Sequence, residues 1–154
     1  MFHDSTALDV LRGTCRLLRR AGISAVAEVS LANSRRVDLL GIDTAGRLTI
    51  VEIKISLADL RGDHKWPEYL DYCDQFFWAV PASLPLADLH TPSFRPDVTG
   101  LIVADRFDAE QLRPAALRPL NSARRRAITT ALAHRAALRW HNLVDPDAAY
   151  LGQE

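Results

Sequence analysis

Two short apolar runs separated by five residues constrain this chain more than any other feature of it. Val37–Ile42 and Leu48–Ile55 are rich in Val, Ile and Leu, and Asp43–Arg47 between them contains Gly46. Such a pattern forms a β-hairpin. A three-residue loop, Thr44-Ala45-Gly46 with Gly46 left-handed, sets Asp43 opposite Arg47 and fixes the register beyond. Ile42 then faces Leu48, Leu40 faces Ile50, Asp38 faces Glu52 and Arg36 faces Lys54. Side chains alternate between faces, so these even-numbered residues share one. Directly opposed β-carbons lie about 4.5–5.5 Å apart, where like charges destabilise a sheet. Two carboxylates opposed at the end of an apolar face therefore point to a bound cation. Hard divalent ions such as Mg²⁺ or Mn²⁺ take carboxylate oxygens at about 2.1 Å, with water and substrate phosphate completing the shell.

The 154 residues suffice for a single domain with a real core, expected over 1–145 with a loose tail at 146–154. Formal net charge is zero, which excludes a global polyelectrolyte attraction to nucleic acid. The charge is nevertheless segregated. Acids prevail from Asp59 to Asp74, whereas from Glu110 to His141 the sole acid is Glu110 against seven arginines. An acidic metal site beside a basic, phosphate-tracking surface fits that division; so does a plain solvated basic helix. Cys15 and Cys73 are in no ligand spacing and read as reduced thiols. No apolar signal region opens the sequence and no long apolar run interrupts it, so a cytoplasmic protein without a membrane segment is expected.

The rest of the chain reads as a mixed α/β domain. Asp4 or Ser5 caps a first helix with Leu8, Leu11, Cys15 and Leu18 at helical spacing, ended by Gly22. A strand follows at about 25–31, then the hairpin strands at about 35–43 and 47–55. Ser56 caps a short turn, and a second helix spans about 64–74 with Pro67 in its first turn. Strands are expected at 75–80 and 100–104, a proline-rich connection at 81–97 and an edge strand at 106–113. Asn121 or Ser122 caps a last, basic helix through about His141. The order α-β-β-β-α-β, then a strand and a helix, makes a mixed sheet flanked by helices.

On the strand after the hairpin turn, Glu52 and Lys54 project to one face, while Val51, Ile53 and Ile55 occupy the other and look like core. Phosphodiester hydrolysis assigns these residues distinct roles. Asp38 and Glu52 hold Mg²⁺ or Mn²⁺, with the Ile53 backbone carbonyl as a further ligand, and the ion polarises the phosphoryl group. Lys54 orients the water or neutralises charge developing on the phosphoryl oxygens. The bland alternative is a surface hairpin whose Lys54 and Arg36 merely balance two acids.

Val37-Asp38 on one strand and Val51-Glu52-Ile53-Lys54 on the next, followed by a helix and a strand, resemble the core of the PD-(D/E)xK nuclease superfamily. More narrowly, Arg35-Arg36-Val37-Asp38, Ile50-Val51-Glu52-Ile53-Lys54, Asp63-His64-Lys65-Trp66, Tyr69–Asp74 with Phe76–Val80, Gly100–Asp105 and Arg124-Arg125-Arg126 resemble the MmcB family of bacterial DNA-repair proteins. The likeness spans about residues 22–140. It implies a restriction-endonuclease-like αβββαβ core and a part in DNA repair or damage-induced mutagenesis, and it transfers Asp38, Glu52 and Lys54 to the nuclease motif. This chain departs from the superfamily in having Val37, not proline, before Asp38; in its first helix only Asp9 offers an acid ligand.

Around this centre, Glu28 is a candidate third carboxylate. Asp63 is a helix cap, and Lys65 beside it a contact to the DNA backbone. Arg36 and Arg124–Arg126 are further candidates for DNA binding. Trp66, Tyr69 and Tyr72 are core aromatics or base-stacking surfaces, and Asp74 is a buried anchor or a site residue. The leading expectation is a metal-dependent endonuclease acting on damaged, branched or single-stranded DNA. Its rivals are a catalytically silent DNA-binding or adaptor module of the same fold and an RNA-directed nuclease. Other repair proteins are expected partners, and a dimer fits many nucleases of this fold, though the sequence does not disclose a dimer surface.

Overall fold

The computed structural model describes residues 6–151. Helix α1 (Ala7–Arg20) starts at Thr6, whose hydroxyl accepts from the Asp9 N–H while the Asp9 carboxylate accepts from the Thr6 N–H. This capping box replaces the expected caps Asp4 and Ser5, which lie outside the described residues. Asp9 is thereby a cap and is not brought to the hairpin acids. Strands β1 (Ser24–Ser30), β2 (Arg36–Ile42), β3 (Leu48–Ile53), β4 (Gln75–Val80), β5 (Gly100–Ala104) and β6 (Ala109–Arg113) form one sheet in sequence order. β1, β2 and β3 form an antiparallel meander. The β3–β4 and β4–β5 pairs are parallel, and β6 returns antiparallel on β5.

The hairpin register follows the sequence expectation. Ile42 faces Leu48, Leu40 faces Ile50, Gly46 has φ +82°, and the Asp43 N–H donates to the Arg47 carbonyl at 3.1 Å. The crossover from β3 to β4 contains α2 (Leu57–Gly62), capped by Ser56, and then a 3₁₀ segment, Trp66–Tyr72, in place of the expected α-helix. In a 3₁₀ turn residues three apart stack on one side. Here that brings Trp66 and Tyr69 inward together. β6 begins only at Ala109, because the Asp105 carboxylate accepts from the Phe107 and Asp108 N–H groups and holds a tight turn before it. The last helix, α3 (Ser122–Val144), is capped by Asn121 and ends at Val144 rather than near His141. A 3₁₀ turn at Pro146–Tyr150 follows where a loose tail was expected.

Both faces of the sheet are covered. Leu39, Val51, Ile53, Phe77 and Ile102 pack beneath α1 with Val10 and Leu18. On the opposite face Leu40, Leu48, Ile50 and Trp78 meet Leu60, Trp66 and Phe94, and α3 joins them through Ile128 and Leu132. Trp66 sits edge-to-face on Trp78 with ring centroids 5.0 Å apart, a packing role for this aromatic. Both cysteines are free thiols. No helix among the described residues is long and apolar enough to cross a membrane.

Candidate active site

The β2–β3 ladder stops at Leu39 opposite Val51, one step before Asp38 and Glu52. Beyond that point β3 is drawn toward β4: Glu52 faces Trp78, Ile53 faces Ala79, and the Lys54 N–H donates to the Ala79 carbonyl at 3.0 Å. Two backbone donors are left where β2 and β3 part, and side chains take them. The Asp38 N–H donates to Glu52 Oε1 at 3.0 Å, and the Ile53 N–H donates to Asp38 Oδ2 at 2.7 Å. Each carboxylate thus reaches across to the other strand. Both carboxyl groups therefore share the gap where the two strands part.

Electrostatics follow from this crowding. Glu52 is only 5% exposed, and burial first, then the charge of Asp38, pushes its pKa up to about 8. Burial also raises Asp38, with the Ile53 N–H and Lys54 pulling in the opposite direction. Two carboxylates crowded into one gap cannot both ionise cheaply, and Glu52 is the one that holds its proton well above the ordinary range.

Lys54 follows β3 directly and is 8% exposed. Its ammonium lies 2.8 Å from Asp63 Oδ2 and 3.8 Å from Asp59 Oδ1. Burial alone would lower the Lys54 pKa, but the hydrogen bond and charge of Asp63 outweigh it and keep the ammonium protonated. Burial likewise opposes ionisation of Asp63, and the Lys54 contact wins there too. The second oxygen of Asp63 accepts from the Lys65 and Trp66 N–H groups, both at 3.0 Å, so one side chain caps the 3₁₀ segment and anchors Lys54. Tyr69 lies close by; burial and then the charge of Glu52 push its hydroxyl up to about 12. Sequence reasoning recognised Asp63 as a cap, but neither its grip on Lys54 nor the places of Asp59 and Tyr69.

The remaining candidates are dispersed. Glu28 does not join the pair: it is exposed, with its carboxylate 3.9 Å from the Arg36 guanidinium. Its backbone is left-handed (φ +55°), and the β1–β2 pairing passes from Ala27–Leu39 to Val29–Val37 without a Glu28–Asp38 pair. The Glu28 carbonyl accepts from Arg139 instead, at 3.3 Å. A left-handed glutamate costs of order 1 kcal/mol that glycine does not incur. Glu28→Gly is therefore expected to raise stability by about 1 kcal/mol, read as a higher urea midpoint at unchanged m-value; a lower midpoint would mean that side-chain contacts impose the kink.

Arg36 and Lys65 are exposed, as is Arg126. Arg124 lies over the Tyr72 ring at 5.0 Å and donates to the Asp71 carbonyl at 3.0 Å. Arg125 differs from its expected role on a DNA-facing surface. Its guanidinium grips the buried Asp74 carboxylate at 2.5 and 2.6 Å and donates to the Gly46 carbonyl at 2.9 Å, which leaves it committed to the fold. Asp74 is accordingly an anchor and stands apart from the carboxylate pair.

The sequence pattern of the MmcB-like DNA repair proteins matches residues 2–147. The chain belongs to that family. A protein of unknown function from Silicibacter pomeroyi is 35% identical to this MmcB-like chain over 99% of both lengths, with a TM-score of 0.86. A repair endonuclease from Pyrococcus abyssi is 13% identical, covering 68% of this chain and 48% of its own, with a TM-score of 0.43. Among curated proteins none matches.

Proposed function

We propose that this MmcB-like protein is a metal-dependent DNA endonuclease of the PD-(D/E)xK type, acting on cytoplasmic DNA during repair. The observation that carries this reading is that the Asp38 and Glu52 carboxylates both reach into the gap where β2 and β3 part, with the buried Lys54 next but one along the chain from Glu52. Burial and the charge of Asp38 raise the Glu52 pKa, and a divalent cation held by both carboxylates would offset both. The donor set also fits the ion. Among the described residues no group of three or more His, Cys, Asp or Glu could hold a metal. Mg²⁺ needs no such cage, since one or two carboxylates with water and substrate phosphate suffice. Mg²⁺ or Mn²⁺ held by Asp38, Glu52 and the Ile53 carbonyl would polarise the phosphoryl group and lower the pKa of water.

The chain's own residues supply the rest. Asp63 and Asp59 keep Lys54 charged, so Lys54 acts as a positive charge toward the developing phosphoryl oxygens rather than as a base. Arg36, Lys65, Arg124 and Arg126 are proposed to contact the DNA backbone, with Arg125 withdrawn by Asp74.

The reading of a silent binding module is favoured by one observation: Asp38 and Glu52 each already serve a backbone N–H. Nicking of supercoiled plasmid separates the two. Asp38→Asn retains an oxygen for the Ile53 N–H, and Lys54→Met removes the ammonium while keeping an unbranched stem of similar length. Each is expected to cut nicking by at least about 100-fold in Mg²⁺, with DNA affinity in EDTA unchanged. Wild-type protein that binds DNA yet never nicks it in Mg²⁺ or Mn²⁺ would establish the binding module. RNA of the same sequence is expected to survive.

A further inference from the structure

We infer that the channel between α3 and the edge strand β1 is the binding site for a single strand of DNA, an inference that rests on DNA being the partner. β1 ends the sheet, and α3 packs over it through the buried Ile128 and Leu132. Beside that contact run two hollows, of about 410 and 490 Å³, which share Ser30, Ala127 and Ala131 and so form one channel. Its floor is mostly apolar, with the small residues Ser30, Ala127 and Ala131 along it. At one end Arg124 covers the Tyr72 ring; at the other stand His134 and Arg135. One helical turn beyond Arg135, Arg139 donates to the carbonyl of Glu28, the residue across from Asp38 at the gap in the β1–β2 pairing. Ile128 and Leu132 belong to the same core as Leu40 and Ile50, so the channel opens on the face that carries Glu52.

Charge and polarity together select the occupant. Residues 122–144 contain no Asp or Glu, while Arg124 and Arg135 line the channel and Arg139 stands one helical turn beyond it. A polyanion complements that wall, whereas an acid-poor peptide does not. The apolar floor is of use only to a strand whose base faces are exposed. A duplex buries those faces in its own stack and offers chiefly phosphate and groove edges. The guanidinium over Tyr72 continues a flat surface on which a base can stack.

The test is fluorescence anisotropy in EDTA, with a labelled oligodeoxythymidine and a duplex of equal length. The single strand is expected to bind at least about tenfold more tightly than the duplex. Ala131→Trp, at an exposed position of α3, fills the channel and is expected to remove that preference while leaving the thermal melt and the duplex affinity in place. Arg135→Glu, which adds no bulk, is expected to weaken single-strand binding and flatten its salt dependence. Equal or tighter duplex binding, or single-strand affinity indifferent to both variants, would overturn the inference, as would an acidic peptide that outcompetes the oligonucleotide. Because no metal is present, single-strand binding without cleavage in Mg²⁺ would defeat the nuclease reading alone. Cleavage of duplex by a protein lacking the preference would defeat this inference alone.

Discussion

Replacing Glu52 by glutamine is expected to abolish metal-dependent cleavage and at the same time to make the folded protein more stable at pH 8. The two effects share one cause. Burial and the neighbouring Asp38 raise the Glu52 pKa from 4.5 to about 8. Between those values the folded chain keeps a proton that the unfolded chain has released, so stability falls as pH rises through this window. Each tenfold difference in proton affinity between the two states is worth about 1.4 kcal/mol, so the penalty at pH 8 amounts to a few kcal/mol. Glutamine keeps an oxygen for the Asp38 N–H and carries no group to ionise. The pH-dependent loss should therefore vanish in the variant. Saturating Mg²⁺ should restore wild-type stability at pH 8 by mass action and leave the variant unmoved. Urea midpoints at pH 6 and pH 8, with and without Mg²⁺, read all of this. A wild-type midpoint that holds steady or rises between those pH values, or a variant less stable than wild type at pH 8, would contradict it. Loss of nicking should reach at least about 100-fold, the scale on which transition-state charge stabilisation is lost.

Asp74→Ala is expected to cost the molecule a large part of its stability. The carboxylate is 1% exposed and receives the Leu48 N–H at 2.7 Å, the Leu120 N–H at 2.9 Å and both terminal nitrogens of Arg125. Burial would raise its pKa, but the Arg125 bond and the two backbone donors overcome this and hold it below the usual carboxylate range. Its stabilising contribution is thus present above the unfolded pKa and lost as pH falls through the lowered one. Alanine leaves the Leu48 and Leu120 N–H groups without partners and the half-buried Arg125 guanidinium with the Gly46 carbonyl alone. A broken ion pair of this kind costs about 3–5 kcal/mol. α3 is joined to β3 and β4 through this contact, so the variant should also bind DNA more weakly at temperatures where it remains folded. A denaturation midpoint shift equivalent to under about 1 kcal/mol would mean that α3 is held by Ile128 and Leu132 alone.

The hairpin was legible because its determinants are local. Gly46 permits the left-handed turn, and once the turn is set the parity of Leu40, Ile50, Asp38 and Glu52 follows without tertiary information. Ser56, Asn121 and Asp63 were legible as caps for the same reason. What could not be read depends on packing between distant segments. The grip of Asp63 on Lys54 requires the length of α2 and the path of the crossover. Three consecutive arginines read as one solvated run, yet the middle one is drawn inward by an aspartate 51 positions earlier. The left-handed Glu28 carries neither glycine nor proline to announce it, and the Arg139 contact at its carbonyl comes from a helix 111 positions later. Tyr69 had the spacing of a core aromatic and is one, but it also borders Glu52.

Crystals soaked in Mn²⁺ at pH 8 and measured at the manganese absorption edge address the carboxylate pair most directly. The expected map holds one anomalous peak, within about 2.2 Å of an oxygen from Asp38 and one from Glu52, absent from Glu52→Gln crystals soaked alongside. No peak there at millimolar Mn²⁺, with both carboxylates ordered and still hydrogen-bonded to the Asp38 and Ile53 N–H groups, would show that the pair serves the fold and not a metal.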